Sequence, residues 1–270
     1  MKTNSTYFNS ETKKFIRNYN FISFMILIGK WGRYDFFNLG YKGSLKKDII
    51  LDDIDKKNQL HISLYLKVME ELPESSKSIL EIGSGIGGGC YLLKKYFKIP
   101  EVVGIDYSKF NVIYSKKKFE KQGVHFLQLS AENADKLNKK FDVIISVEAS
   151  QHFSNWELFF KNVYSLLNDN GFFFYAAIFT QKDIITTEKL IQHSNLKIHL
   201  REDISDGVIN SLNLLTQTNE DTKFVKTLKR ILLLDKLEKY NAYNPDSDMH
   251  KKIISKELIY VRYVITKNAG

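Results

Sequence analysis

The residues best equipped for chemistry stand close together in the run Ser146-Val147-Glu148-Ala149-Ser150-Gln151-His152. An imidazole whose ordinary pKa lies near about 6.5 can take a proton at neutral pH, and a neighbouring carboxylate can orient it or a bound molecule. His152 is therefore the first candidate for a general base, and Glu148 the second catalytic candidate. Each has a plainer reading. His152 can cap or pack on a following helix, and Glu148 can reach a bound cofactor through water.

A second constellation lies upstream, in Ile79-Leu80-Glu81-Ile82-Gly83-Ser84-Gly85-Ile86-Gly87-Gly88-Gly89. It reads as a strand entering a glycine turn, then a helix beginning near Cys90. Glycines permit positive φ and lack the Cβ that would keep a ligand from the backbone, so the first helical N–H groups can face a bound molecule. Gly83, Ser84, Gly85 and Gly87 are the cofactor contacts expected from this loop. Gly83, Gly85 and Gly88 also satisfy G-x-G-x-x-G, which keeps a dinucleotide in play. Asp106 ends the next run, VVGID, where a carboxylate can hold the two ribose hydroxyls of an adenosine, and Tyr107 follows it. Glu81 tips the balance toward S-adenosylmethionine, because an acid there can accept from an ammonium through water or the loop backbone. Ala131 and Glu132 are expected beside the adenine, and Val147 ends the strand beneath the sulfonium. Tyr34, Phe37 and Tyr41 can close over that sulfonium by cation–π contact or serve only as core of a lid.

These side chains need a scaffold, and the alternation of apolar runs supplies one. SILEIG, EVVGID, VHFLQLS, FDVIISVEA and GFFFYAAIFT alternate with Lys-dotted helical stretches, the rhythm of a parallel sheet with crossover helices. LKIHLRED and LIYVRYVIT read as sixth and seventh strands. The expectation is an α/β, Rossmann-like, seven-stranded and mostly parallel sheet, whose strand ends gather the candidates above. Residues 1–75 form a helical N-terminal cap, including a helix from about Asp55 to Leu72 that Pro73 closes. Residues 76–270 form the cofactor-binding domain, with a helical substrate lid over about 204–254 before the last strand.

Bulk properties narrow the class. A chain of 270 residues with 43% hydrophobic and 26% charged residues can build one large core, which excludes wholesale disorder. The excess of 40 Lys and Arg over 31 Asp and Glu, a charge of +9, favours acidic ligands, nucleic acid or anionic surfaces without choosing among them. One cysteine makes no internal disulfide and fits a reducing, cytoplasmic setting. The apolar run Phe21 to Ile28 falls short of the about 20 residues that span a bilayer, though it can lie on a membrane surface or over a hydrophobic substrate. No His or Cys cluster has metal-ligand spacing, so no metal is expected.

Together E-I-G-S-G-I-G-G, V-G-I-D, S-A-E and F-D-V-I-I-S-V-E resemble the motifs of class I S-adenosylmethionine-dependent methyltransferases, over about Ser78 to Thr180. V-E-A-S-Q-H-F, N-D-N-G-F-F-F-Y-A and the cluster Phe36 to Tyr41 are similar to small-molecule O-methyltransferases of lipid and polyketide biosynthesis, including phthiotriol-type enzymes. The resemblance implies methyl transfer to a hydroxyl of a small hydrophobic acceptor, and it implies histidine at position 152. The chain departs from the family pattern at Ser130, where relatives usually carry Asp. It departs again at Asn168-Asp169-Asn170-Gly171, in place of Pro-Gly, where Asn and Gly would tolerate left-handed backbone.

Two other chemistries share parts of this pattern. Methylation of carbon or nitrogen on a lipid, isoprenoid or amine uses the same cofactor motifs, and an NAD-dependent oxidoreductase fits the glycine spacing but lacks a visible second nucleotide half. A binding-only protein would retain the fold without turnover. A nucleic-acid methyltransferase is disfavoured, since the fourth strand lacks an Asn- or Asp-Pro-Pro-aromatic end. The 19 Phe and 15 Tyr suit a hydrophobic acceptor better.

Overall fold

In this computed structural model residues 35–218 and 242–268 are described. Tyr34, the run Phe21 to Ile28 and the middle of the anticipated lid lie outside them. Seven strands run β1 (Ser78–Ile82), β2 (Glu101–Asp106), β3 (Val124–Gln128), β4 (Phe141–Val147), β5 (Leu167–Phe179), β6 (Leu196–Asp203) and β7 (Ile259–Lys267), in the sheet order β3-β2-β1-β4-β5-β7-β6. The first five strands pair in parallel, and β7 enters antiparallel between β5 and β6. That antiparallel strand stands beside β5, where the strand order of a dinucleotide-binding fold has a sixth parallel strand.

The inner strands β1, β2, β4 and β7 are buried almost throughout because both sheet faces are covered there, while the edge strands β3 and β6 carry exposed residues. Successive side chains point to opposite sides, so Ile79, Val143 and Phe174 enter one core while Leu80, Ile144 and Phe173 enter the other. The first core packs against α1 (Gln59–Val68), α2 (Gly88–Lys95), α3 (Lys109–Phe119) and, through Val208 and Leu212, α6 (Ser205–Thr218). The second packs against α4 (Trp156–Leu166) and α5 (Gln181–His193), where Trp156, Phe159 and Phe160 meet Tyr175 and Phe179. Side-chain caps fix three of these helix starts: Ser108 for α3, Asn155 for α4 and a Thr180–Asp183 capping box for α5.

Three expectations need correction. The single helix over Asp55 to Leu72 is a turn at Asp53–Lys56 followed by α1, which ends at Val68. The break falls at Asn58, whose buried amide donates to Asp35 at 2.7 Å and so draws the 35–44 strap onto α1. The helix after the glycine turn begins at Gly88 rather than Cys90. Residues 168–171 form no left-handed turn, since none has positive φ; they bulge within β5, where the pairing jumps from Phe141↔Leu167 to Val143↔Phe172.

Within the stretch anticipated as a lid, the described helices are α6 and α7 (Asp248–Ile254). A buried ion network binds the cap to this side of the sheet. Arg262 on β7, 1% exposed, donates to Glu70, Glu71 and Glu202 at 3.0, 2.8 and 2.5 Å, and Lys67 pairs with Glu70 and Glu202. Because α1 stops at Val68, Glu70 and Glu71 fall on the following turn, within reach of that guanidinium.

Candidate active site

Chain order reverses between β1 and β4, so their carboxyl ends open the crevice where α/β sheets bind ligands. The glycine loop fills one side. Gly83, Gly85 and Gly87 take φ of 79°, 54° and 88°, a region costly for any residue with a Cβ. A Cβ on Gly83 would stand 2.3 Å from that of Ala149, which brings this loop against the turn after β4. Gly88 carries the strap in the same way, because a Cβ there would meet the Asp35 carbonyl oxygen at 2.0 Å.

Glu81 supports the loop from beneath. Its buried carboxylate accepts from Tyr65 Oη at 2.5 Å, from Cys90 Sγ at 2.9 Å and from the Cys90 backbone N–H, serving the start of α2 where Gly87 has no side chain to do so. Gly89 has no room for a side chain because a Cβ would lie 2.4 Å from Glu81 Oε1. Burial pushes the Glu81 carboxyl up to about 7 despite these hydrogen bonds. Glu81 thus holds the backbone at the start of α2 from beneath.

Asp106 closes β2 in a matching position. Its Oδ2 accepts from Gly85 N at 2.9 Å and its Oδ1 from Ser108 N and Asn111 Nδ2 at 2.8 and 3.1 Å. Burial raises its carboxyl to about 6. Tyr107 beside it is exposed. Ala131 is buried, its carbonyl held by Asn162, while Glu132 Oε1 accepts from Ser154 N, Ser154 Oγ and Asn155 N and pins the approach to α4. Ser130 Oγ, at the family departure, accepts from Asn133 Nδ2.

The turn after β4 carries the two catalytic candidates. Val147 is buried at the strand end, and Glu148 takes φ of 51°, an uncommon conformation for a side chain of its size. Its Oε1 accepts from Leu39 N at 2.8 Å and Tyr260 Oη at 3.0 Å, joining strap, turn and β7 at one oxygen. Burial lifts this carboxyl to about 7. Burial also holds the His152 imidazole down at about 3, so it stays neutral at physiological pH. Ser150 anchors the short helical turn Ser150–His152: its hydroxyl shares a 2.6 Å hydrogen bond with Tyr175, and its carbonyl accepts from Trp156 Nε1 at 2.6 Å.

The fold thus gathers Gly83, Ser84, Gly85, Gly87, Asp106, Val147, Glu148 and His152 on neighbouring loops. Tyr41 is buried two residues beyond Leu39, whose N–H donates to Glu148. Its ring lies in the cap core, against the position a Gly207 Cβ would need and 6.0 Å from Lys67 Nζ. Sequence reasoning missed Tyr65 and Tyr260, whose contacts cross the fold, and Gln151, which its place beside His152 could have suggested. Among the described residues two buried oxygens on the touching loops, Ser84 Oγ and Gln151 Oε1, have no hydrogen-bond partner. Among the described residues no His, Cys, Asp and Glu group is placed to hold a metal ion, and no helix is long and apolar enough to cross a membrane.

Known proteins are similar to this chain in sequence and in fold. The phthiotriol/phenolphthiotriol dimycocerosates methyltransferase of Mycobacterium tuberculosis is 26% identical over 186 residues, covering 69% of each chain. The fatty-acid O-methyltransferase of Mycolicibacterium smegmatis is 25% identical over 205 residues, covering 76% of this chain and 74% of that one. In fold, the O-methyltransferase of a trans-AT PKS multienzyme from Brevibacillus brevis, solved with S-adenosyl-L-homocysteine, superposes with a TM-score of 0.59 at 12% identity, covering 87% of this chain and 85% of that one. The profile described as "Methyltransferase domain" matches residues 73–236, and the chain belongs to that family of S-adenosylmethionine-dependent methyltransferases.

Proposed function

We propose that this methyltransferase transfers its methyl group to a hydroxyl oxygen of a small hydrophobic or lipid acceptor, with His152 taking the proton. The observation that carries the reading is the place of His152, on a turn anchored by Trp156 and Tyr175 and set against the glycine loop through Ala149. Relatives named for phthiotriol-type lipids and for fatty-acid O-methylation support oxygen as the target and a lipid-like acceptor.

The residues present suit the cofactor. Among the described residues Ser84 Oγ is a buried polar atom without a partner, on a loop whose glycines at positive φ lack the Cβ that would keep a ligand from the backbone. Gly83, Ser84, Gly85 and Gly87 would hold the amino-acid end, supported by Glu81. Asp106 and Tyr107 would meet the ribose and adenine from β2, with Ala131 and Glu132 bordering the base and Val147 lying beneath. When bound, S-adenosylmethionine supplies a methyl group on a positively charged sulfur. His152 accepts the acceptor hydroxyl's proton as oxygen attacks in line, and Glu148 orients the imidazole or the acceptor.

The test combines two measurements. Mass spectrometry with fragmentation on candidate lipid acceptors is expected to locate the new methyl on oxygen; a methyl on carbon or nitrogen refutes that part. His152→Ala is expected to lower kcat about 100-fold or more while S-adenosylhomocysteine still binds. Undiminished turnover removes His152 from the role.

A further inference from the structure

The turn after β4 presents hydrogen-bond acceptors and no cation. Gln151 is 7% exposed, and its Nε2 donates to the Glu148 carbonyl at 2.9 Å. That bond fixes the amide, so the atom left without a partner is the oxygen, Oε1. At the other end of the same turn Glu148 Oε1 already accepts from Leu39 N and Tyr260 Oη, and among the described residues no ion pair reaches this carboxylate. The buried cations of the cap, Lys67 and Arg262, are spent on Glu70, Glu71 and Glu202. His152, next to Gln151, carries no charge at neutral pH.

A buried acceptor without a donor is costly, and a ligand bearing O–H or N–H removes that cost. An anionic ligand would do the reverse. It would add further acceptors beside Glu148, where no cation stands among the described residues and where S-adenosylhomocysteine, unlike the sulfonium cofactor, brings none. Burial without a cationic partner already raises the Glu148 carboxyl to about 7, and a second carboxylate beside it would raise it further.

We propose that Glu148 and Gln151 form a donor-reading wall of the acceptor site, admitting a neutral alcohol and refusing a carboxylic acid. The inference rests on the hydroxyl-methylation reading and narrows it to one acceptor class. In the favoured reaction the alcohol oxygen forms a bond to the methyl carbon as the sulfur–carbon bond breaks, the sulfur keeps that electron pair, and His152 takes the hydroxyl proton. The products are a methyl ether and S-adenosylhomocysteine. A carboxylate would instead yield a methyl ester with no proton to remove.

The test uses 1-decanol and decanoate, matched in chain length, titrated calorimetrically at about pH 8 into the full chain saturated with S-adenosylhomocysteine, where decanoate is ionised. Decanol is expected to bind at least about tenfold tighter. Glu148→Gln should narrow that ratio, and Gln151→Leu should weaken decanol alone. Gln151→Glu, which adds a negative charge in the same volume, should widen the ratio. With S-adenosylmethionine the product is expected to be decyl methyl ether and not methyl decanoate. Equal or tighter decanoate binding, a methyl ester product, no binding of either probe, or a ratio unmoved by all three variants overturns the wall. Preferential decanol binding without transfer upholds the wall and overturns hydroxyl methylation. Failure of S-adenosylhomocysteine to bind overturns both.

Discussion

Glu81 gives the sharpest quantitative test of how the glycine loop is supported. Its carboxyl is buried beneath α2, and burial raises it to about 7 from an ordinary value of 4.5. A raised folded-state value means that the folded protein favours the protonated form. Stability from this group is therefore fully present below about pH 4.5 and is lost as pH rises through about 7. Between about pH 5.5 and pH 8.5 the loss comes to about 2 kcal/mol, from the titration of one group between those two values. Asp106, raised to about 6, and Glu148, raised to about 7, act in the same direction, so wild-type stability alone does not isolate Glu81. Glu81→Gln does. The glutamine keeps a carbonyl oxygen for Tyr65 Oη and abolishes the titration. Urea unfolding of both proteins at the two pH values should show the variant gaining about 2 kcal/mol on wild type toward the alkaline end. A difference that stays constant, or a variant that loses ground as pH rises, refutes the reasoning. It would mean that the hydrogen bonds and the dipole at the start of α2 keep Glu81 ionised despite burial.

Three further substitutions probe the parts around the loop. Gly88→Ala puts a Cβ against the Asp35 carbonyl, where backbone rather than a flexible side chain must yield; a loss of about 1–3 kcal/mol in urea unfolding and faster amide exchange at Asp35 and Phe36 are expected, and wild-type behaviour in both sinks the strap contact. Arg262→Met strands three carboxylates, two of them on the turn after α1, and should cost about 3–5 kcal/mol, so a variant within about 1 kcal/mol of wild type would mean that the network is solvated. Trp156→Phe leaves the Ser150 carbonyl without its donor and should lower turnover while S-adenosylhomocysteine affinity, measured by titration calorimetry, changes little. Equal losses in both would contradict a role confined to the His152 turn.

What could be read from the sequence was local. The strands are apolar on both faces, and glycines at positive φ mark a turn wherever they cluster, so β1 to β5, the loop and Asp106 were legible from short windows. The unread features join distant parts of the chain. Leu39 and Tyr260 meet at Glu148, Arg262 meets Glu70 and Glu71, and the Asn58 amide breaks a helix by reaching Asp35. Periodicity reports which face of an element is buried, not which polar atoms meet across elements. The same limit applies at residues 168–171, where composition favours a turn but the ladder with β4 absorbs the residues as a bulge.

Glu81 marks the boundary between the two kinds of information. An acid just before a glycine loop invites the reading that it points at a ligand. Strand parity puts Glu81 on the face it shares with Ile79, whose side chain lies in the core beneath α1 and α2. Tyr65, Gly89 and Cys90 then follow as consequences of one buried carboxylate: a hydroxyl to bind it, a residue without a side chain to clear it, and a thiol and backbone N–H to complete its shell. The glycine at position 89 is thus set by the protein's own packing around Glu81, as that at position 83 is by the Ala149 Cβ of the turn after β4.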